Sequence, residues 1–313
     1  MAQSRREPPI LRIGSRGSPL ALAQAREVKL RLAAMAGLDD DRIEVKVIRT
    51  TGDAIQDRPL AAAGGKGLFT KEIEEALLSG VIDLAVHSTK DMPTVLPPGL
   101  VLAGFLPRED ARDAFISRKA PRLDALPEGA VVGTASLRRQ AMVKRRRPDL
   151  DVVTLRGNVE TRLRKLDARE ADATVLAVAG LKRLGLLSAA TAILEADEFL
   201  PAVGQGAIGI ETRANDDARR ALVAAVADAD TATAIAAERA FLGVLDGSCR
   251  TPIGGHARLS GDTIRFRGMI IRPDGTEAFE VFREGHRGDA AKLGADAGRE
   301  LKERGGAGFF ART

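Results

Sequence analysis

The sequence contains neither tryptophan nor tyrosine and has one cysteine, and each shortage excludes a class of protein. Aromatic residues make up 3% of the chain, too few for the stacking platforms that bind single-stranded nucleic acids. The lone cysteine, Cys249, excludes an internal disulfide framework and fits a reducing compartment. The 3 histidines stand far apart, at positions 87, 256 and 286, so we expect no histidine-based metal site.

Long apolar segments are missing as well. No run of residues is long enough to span a bilayer, and the first residues lack the apolar core of a signal peptide. We therefore expect a cytoplasmic protein without a membrane partner. Lys and Arg outnumber Asp and Glu by 48 to 43, for a net charge of +5. This surplus suggests an anionic ligand, and nucleic acid has to be considered among the candidates.

The length and the pattern of apolar residues predict more than one domain. A chain of 313 residues exceeds what one hydrophobic core usually organises. Between Arg12 and Gly209 short apolar runs alternate with helical patterns, which is typical of α/β domains on mainly parallel sheets. Residues 106–112 and 199–205 combine proline or glycine with polar residues and bracket a middle α/β domain. After about residue 225 the pattern indicates a small α+β domain.

The local signals place individual elements. Ser18 and Pro19 predict a helix start, with the serine as N-cap. Gly80 ends a second predicted helix over residues 71–79. Further helices are expected over residues 231–245 and at the end of the chain. Strands are predicted at residues 43–48, 82–86, 131–134, 152–155, 174–178, 263–271 and 277–282.

Arginines recur where predicted strands end and helices begin. Ser136 is expected to cap a helix with Arg138 and Arg139 in its first turn, and Asn158 to cap one that carries Arg162. Cations there oppose the helix dipole, which costs stability unless an anion binds or acidic neighbours pair with them. Ligands of open α/β sheets bind beyond the carboxyl ends of strands, so we predict a crevice for carboxylates or phosphates. Corresponding turns hold Arg16, Arg156 and Arg183.

The segment HSTKDMPT places Lys90 and Asp91 directly after a predicted strand, and Pro93 ends regular structure. A carboxylate among cations stays ionised and suits the stabilisation of positive charge that develops on a substrate. The alternative is an ordinary surface ion pair. We interpret His87 as structural.

Two further segments have features of phosphate-binding or nucleic-acid-binding sequences. GGKGLFTKEIE is not a phosphate-binding loop, because Leu60 stands where a glycine is required and Gly67 where Ser or Thr is required. What remains is a glycine-rich stretch over residues 51–67 that is predicted to form a lid. The basic run KRRR at 144–147 best fits nucleic acid, but it also suits the dipole-favoured end of a helix.

Cys249 lies in the segment GSCRTPIGGHA, beside Arg250. A lone cysteine in an α/β protein is often a small buried apolar residue. A neighbouring guanidinium can instead favour the thiolate and make the residue a chemical handle. The residues alone leave both interpretations open.

Eight segments in this order resemble the porphobilinogen deaminase family, and together they span most of residues 11–257. They are RIGSRGSPLALAQA, GGKGLFTKEIE, HSTKDMPT, GTASLRRQ, LRGNVETRL, AVAGLKRLG, PAVGQGAIGIE and GSCRTPIGGHA. The resemblance implies a monomer with two α/β domains like type II periplasmic binding proteins and a small C-terminal α+β domain. The implied bounds are 1–107 with 202–225, 108–201, and 226–313. Members often carry a lysine where this chain has Ala62 and an aromatic residue where it has Ala23.

The resemblance also implies an activity, the stepwise condensation of four porphobilinogen molecules into hydroxymethylbilane. A dipyrromethane cofactor would be held by a thioether to Cys249, and Asp91 would be the main catalytic residue. No metal is implied. Lys66 and Phe69 would belong to the lid. The residues implied in substrate and cofactor binding are Arg16, Ser18, Ser88, Lys90, Thr134, Ser136, Arg138, Arg139, Arg156, Arg162, Arg183 and Gln205.

Two other functions remain as alternatives. The first is a cytoplasmic polyanion-binding protein of the same architecture without chemistry, since one fold hosts many functions. Cys249 and Asp91 favour the enzyme, because a pure binder needs no covalent anchor. The second is a nucleic-acid-binding protein, which would show steeply salt-sensitive binding.

Overall fold

The computed structural model describes residues 11–54, 67, 69–246, 251–306 and 308–309. The strands are β1 (Leu11–Ser15), β2 (Ile43–Val47), β3 (Leu84–Ser88), β4 (Leu100–Phe105), β5 (Asp113–Ser117), β6 (Val131–Gly133), β7 (Asp151–Val153), β8 (Ala173–Ala177), β9 (Ala192–Leu194), β10 (Ile208–Arg213), β11 (Ile253–Ser260), β12 (Thr263–Ile271) and β13 (Ala278–His286). The helices are α1 (Pro19–Ala36), α2 (Thr51–Ala54), α3 (Lys71–Leu78), α4 (Leu137–Arg146), α5 (Val159–Asp167), α6 (Val178–Arg183), α7 (Asp217–Ala224), α8 (Ala229–Val244) and α9 (Ala290–Gly305).

In this part of the chain the strands form two five-stranded sheets and one three-stranded sheet. The first sheet has the order β2-β1-β3-β10-β4 and the second the order β7-β6-β8-β5-β9. The α/β class with a small C-terminal α+β domain is confirmed. The expectation of mainly parallel sheets is confirmed, and each five-stranded sheet contains one antiparallel strand. β10 runs antiparallel to β3 and β4, and β5 runs antiparallel to β8 and β9. Both strands directly follow a crossing of the chain between the two sheets, so each enters its sheet from the opposite end.

Capping residues explain where the helices of both α/β domains begin. Ser18 accepts a hydrogen bond from the backbone N–H of Ala21, and Pro19 stands at the first helical position. Gly37 ends this helix with a φ of 61°, a conformation that glycine adopts without strain. Ser136 and Asn158 cap α4 and α5 in the same way. The predicted N-caps are therefore confirmed.

Buried aliphatic side chains join the first sheet to its helices. Leu11, Ile13 and Leu84 pack with Val28 of α1 and with Ile210 of β10, each with 0–1% of its surface exposed. Burying one such side chain stabilises the fold by about 1.5–3 kcal/mol. A second core surrounds Phe115, Val132 and Val175, and β12 contributes Met269 and Ile271 to it. The third domain thus packs against the second.

The third domain consists of the antiparallel sheet β11-β12-β13 and the helices α8 and α9. Phe241 of α8 packs on Phe266 of β12, with ring centroids 5.0 Å apart. Gly294 lets the two helices approach closely, because a Cβ there would lie 1.9 Å from the carbonyl oxygen of Ala237. β11 was not predicted.

Residues 106–112 and 199–205, the predicted connections, contain no helix or strand. The fully buried Glu238 of α8 binds both connections to the third domain through hydrogen bonds. Its carboxylate accepts hydrogen bonds from Arg108 Nη1 at 2.6 Å, Gly204 N at 2.7 Å and Ala257 N at 2.8 Å. A buried carboxylate that is paired and saturated with hydrogen bonds fixes the geometry of its neighbours. None of the helices within the described ranges is long and apolar enough to cross a membrane.

Candidate active site

Asp91 lies at the carboxyl end of β3, in the 3-10 turn Thr89–Asp91. Its side chain is 34% exposed and therefore reachable by a ligand. Arg16, in the loop between β1 and α1, places Nη1 4.0 Å from Asp91 Oδ2. The same guanidinium lies 4.0 Å from the centre of the Phe69 ring, within the range of a cation–π contact. The first domain thus presents a carboxylate and a cation at one sheet edge.

A cavity at this edge brings several predicted residues together. Ser18, which also caps α1, shares it with Ser88, whose hydroxyl donates to Gln24 Oε1 at 2.9 Å. Hydroxyl, guanidinium, carboxylate and aromatic groups therefore converge on one space. The lining is Arg16, Ser18, Leu20, Ala21, Gln24, Phe69, Thr70, Val86, His87, Ser88 and Asp91.

Lys90 is half-buried beside Asp91. Burial, together with the charge of Arg139, lowers the pKa of Lys90 from 10.5 to about 8, and the carboxylates of Asp91 and Asp113 oppose the shift. A bound anion would stabilise the charged form of Lys90.

The two arginines at the start of α4 surround a buried carboxylate that sequence analysis missed. Asp113 of β5 is fully buried; its Oδ2 lies 2.7 Å from Arg138 Nη2 and its Oδ1 2.7 Å from Arg139 Nη2. Gln205 Nε2 donates to the same Oδ1 at 2.9 Å. Burial opposes the ionisation of Asp113, yet the two guanidinium charges outweigh it and hold the pKa of this carboxyl well below its usual range.

Asp113 thus supplies the negative charge that the two arginines at the start of α4 require. Arg138 is buried and also donates to the carbonyl oxygen of Leu200 at 2.6 Å, and Gln205 is 1% exposed. Both lie behind the surface of the crevice in this structure. Thr134 accepts a hydrogen bond from the backbone N–H of Ser136, and Ser136 accepts one from that of Arg139. These hydrogen bonds fix the start of α4, the helix that contains Arg139. The signal for Asp113 was an aspartate that opens an otherwise apolar strand.

The second strand-to-helix turn adds Arg156 and Arg162 to the crevice, both half-buried. Arg162 Nε donates to the carbonyl oxygen of Gly157 at 2.9 Å. Burial and the charges of Arg139 and Arg156 lower the pKa of Arg162 to about 10, while Asp91 opposes the shift. The first and second domains therefore face each other with cations around Asp91.

Arg183 lies in the last turn of α6 and connects the two α/β domains. Its Nε is 3.2 Å from Glu27 Oε2 on α1, and its Nη2 donates to the carbonyl oxygen of Gly206 at 3.2 Å. In this structure Arg183, a predicted carboxylate binder, thus binds protein groups.

The predicted basic helix end is confirmed at α4, where Arg146 contacts Asp124 and Glu198.

Two predicted functional residues, Cys249 and Lys66, lie outside the described residues, as does Arg250. Most of the predicted lid, residues 55–66, is also outside them, and only its first helix α2 and the flanking Gly67 are described.

Taken together, two α/β domains present cations to one reachable carboxylate, a geometry suited to a protein that holds a polyanion and acts on it. The family model "Porphobilinogen deaminase, dipyromethane cofactor binding domain" matches residues 11–221. A second model, "Porphobilinogen deaminase, C-terminal domain", matches residues 232–303. The chain belongs to the porphobilinogen deaminase family.

Similar proteins include the porphobilinogen deaminases of Nitrobacter hamburgensis and Nitrobacter winogradskyi. Each is 67% identical over 298 residues, which cover 95% of this chain and 94% of the relative. Among solved structures, the methionine-binding protein MetQ is 17% identical with a TM-score of 0.44, over 71% of this chain and 91% of that one. A nutrient-binding protein from Burkholderia cenocepacia, bound to methionine, is 16% identical with a TM-score of 0.44, over 71% and 93% of the two chains.

Proposed function

We propose that this chain condenses four porphobilinogen molecules into hydroxymethylbilane, with Asp91 as the catalytic carboxylate. The activity is that of a transferase, hydroxymethylbilane synthase, and belongs to tetrapyrrole biosynthesis. The observation that carries the assignment of Asp91 is its position. It is 34% exposed, 4.0 Å from Arg16, and close enough to Lys90 and Arg162 to act on their pKa values.

The cofactor of this family is dipyrromethane, and the described residues fit it. Two linked pyrrole units carry four carboxylates, and the crevice offers the cations Arg16, Lys90, Arg156 and Arg162. Burial lowers the pKa of Arg162 most, and the neighbouring charges of Arg139 and Arg156 lower it further, so a bound polyanion would favour the charged form of Arg162. When bound, the cofactor supplies the nucleophilic pyrrole carbon to which the first substrate is joined. Cys249 is the residue that would hold it.

The cations bind and orient the substrate. Each porphobilinogen brings one acetate and one propionate group, so planar guanidinium groups can hold it at two points. Arg156 and Arg162 approach from the second domain, and Arg16 and Lys90 from the first. Arg139 is held in place by Asp113 and completes the second-domain wall. Two-point binding positions the aminomethyl carbon of the substrate against Asp91.

Asp91 lowers the barrier to ammonia loss. When ammonia leaves the aminomethyl carbon, positive charge develops on the substrate as an azafulvenium ion. A carboxylate that is already fixed beside this carbon stabilises the charge without reorganisation at the moment of reaction. Its oxygens can also accept hydrogen bonds from the pyrrole N–H. Phe69, stacked on Arg16 at 4.0 Å, narrows the access of water to this side of the site.

The remaining predictions complete the proposal. The domain bounds are 1–107 with 202–225, 108–201 and 226–313, and the protein is a cytoplasmic monomer that binds no nucleic acid. The pairing of Arg146 with Asp124 and Glu198 supports the last point, because it neutralises part of the basic run. Size-exclusion chromatography with light scattering tests the monomer.

A rapid-quench experiment tests the function against the polyanion-binding alternative. Purified protein is mixed with limiting porphobilinogen, and ammonia, enzyme-bound intermediates and hydroxymethylbilane are followed over time. We expect one ammonia for each porphobilinogen consumed and intermediates that grow one unit at a time. Tight binding of porphobilinogen without release of ammonia would contradict the enzyme and favour the binder.

A further inference from the structure

A second titratable cluster lies under the site in the first domain. His87 Nε2 is 3.0 Å from Glu211 Oε2, and the two side chains are 4% and 0% exposed. They belong to the adjacent antiparallel strands β3 and β10, where Glu211 lies opposite Ala85, two residues before His87. Diagonal neighbours on one face of a sheet are within reach of each other. The pair is therefore fixed by the sheet itself.

Glu74 of α3 adds a second buried carboxyl group to the cluster. It is 6% exposed, and burial together with the charge of Glu211 raises its pKa, while the charge of His87 opposes the shift. Among the described residues, Glu74 Oε1, Glu211 Oε1 and Thr70 Oγ1 are buried without a hydrogen-bond partner. Buried polar atoms are nearly always partnered. Three such oxygens in one place indicate a cluster that is not built for stability alone.

The cluster is in contact with the catalytic cavity. His87 and Thr70 line the same space as Asp91, Arg16 and Ser88. From α8, the half-buried Arg239 donates to the carbonyl oxygens of Pro93 and Thr94 and interacts with the charge of Glu211. The charged groups around the His87–Glu211 pair thus include Glu74 of α3, Asp91 and Arg16 at the shared cavity, and Arg239 of α8.

The proposed reaction needs a proton acceptor at this position. After the carbon–carbon bond forms, the attacking pyrrole carbon still carries its hydrogen, and the ring regains aromaticity only when that proton leaves. We propose that the imidazole of His87, oriented by Glu211, accepts this proton and passes it to the ammonia released in the same addition. The electrons of the C–H bond return to the ring and ammonia becomes ammonium, so nothing is oxidised or reduced. This inference rests on the proposed function.

Glu211 determines which imidazole nitrogen of His87 acts as the base. A carboxylate that accepts from Nε2–H leaves Nδ1 as the basic nitrogen and stabilises the imidazolium once the proton arrives. General acid–base groups of this kind contribute about 10²–10⁴-fold to a rate. Asp91 then keeps its separate role, since it stabilises positive charge and need not change protonation state.

An isotope experiment separates this role from a structural one. Porphobilinogen with deuterium at its free α-carbon is added to the cofactor-loaded enzyme, and the second and later additions are timed by quench mass spectrometry. In the wild-type protein we expect no primary isotope effect on these additions. In His87→Gln, additions slow by about 10²-fold and show a primary isotope effect, because proton removal limits the rate. His286→Gln, on an exposed residue of the third domain, is the matched control.

A second variant keeps the test decisive if His87→Gln does not fold. Glu211→Gln retains an acceptor for Nε2–H and removes only the charge, so it should show the same isotope effect. ¹⁵N-histidine spectra give a readout that is independent of turnover. With 3 histidines in the chain, the His87 nitrogens can be assigned, and we expect their shifts to change once Glu211 is replaced.

The outcomes separate the two proposals. If the wild-type protein releases no ammonia, the proposed function fails. If it elongates normally and neither His87→Gln nor Glu211→Gln shows an isotope effect, the proton-accepting role of His87 is wrong and the function stands.

Discussion

Asp113 Oδ1 lies 2.7 Å from Arg139 Nη2, inside a wall that also buries Arg138. One carboxylate thus neutralises one of two adjacent guanidinium charges and leaves the other in excess. The excess charge is held rigidly, because Asp113 belongs to β5 and the arginines to the first turn of α4. Asp113 is therefore a positioning residue for the second-domain side of the crevice.

Replacing Asp113 by Asn should destabilise the protein strongly. The change leaves two buried guanidinium groups without a counter-charge, which typically costs about 3–5 kcal/mol. Urea denaturation, followed by circular dichroism, measures the free energy of unfolding. Asp167→Asn is the matched control, because Asp167 pairs with Arg118 at the surface, with side chains 56% and 52% exposed. That control should cost at most about 1 kcal/mol. Equal losses in both variants would contradict the positioning role.

Lys90 predicts a pH dependence of substrate binding. Its pKa of about 8 lies below the ordinary value of 10.5, mainly because the residue is buried. Lys90 therefore carries its charge below this pH and loses it as the pH rises through about 8. We expect the affinity for porphobilinogen to fall across this range in the wild-type protein. Lys90→Arg keeps its charge throughout.

Equilibrium binding to the cofactor-loaded protein, measured on both sides of the Lys90 pKa, checks this expectation. In Lys90→Arg the fall in affinity should be absent or shifted to higher pH. A wild-type affinity that does not change over the same range would show that the Lys90 ammonium contributes nothing to binding.

Asp91→Asn should retain binding and lose turnover. Asparagine is nearly isosteric and keeps one acceptor oxygen, so a hydrogen bond to a pyrrole N–H can persist while the charge is lost. Loss of a fixed electrostatic group lowers the rate by about 10²-fold or more. The cations Arg16 and Arg162 still hold the carboxylates of the substrate, so its dissociation constant should change much less. Single-turnover ammonia release and equilibrium binding on one preparation separate the effects, and near wild-type ammonia release would refute the role of Asp91.

Local signals in the sequence predicted most of the elements. Strands occur where apolar runs were found, with ends shifted by a residue or two, except that β13 continues to His286. Ser18, Ser136 and Asn158 were identifiable as N-caps because capping depends on a few adjacent residues. The antiparallel insertion of β10 was not predictable in this way. It depends on how the chain returns from the second domain, which no local pattern records.

The residues of the candidate site also fall into two groups, those that the local sequence predicts and those that it does not. Arg16, Lys90 and Asp91 could be predicted because each stands in a turn directly after or before a strand. The engagement of Arg138 by Asp113 and of Arg183 by Glu27 was not visible, since the partners are 25 and 156 residues apart. Sequence patterns locate a charged side chain in an element, but its partner depends on packing between elements. The pair of His87 and Glu211, 124 residues apart, was missed for the same reason.

The covalent anchoring of a dipyrromethane cofactor on the only cysteine of the chain can be tested by the intact mass of the purified protein. We expect a mass above that of the sequence by two linked pyrrole units, and peptide mapping should place the addition on the peptide that contains Cys249. Cys249→Ala should lack both the addition and turnover, because no other thiol can replace it. Fully active protein with the unmodified sequence mass would contradict the account.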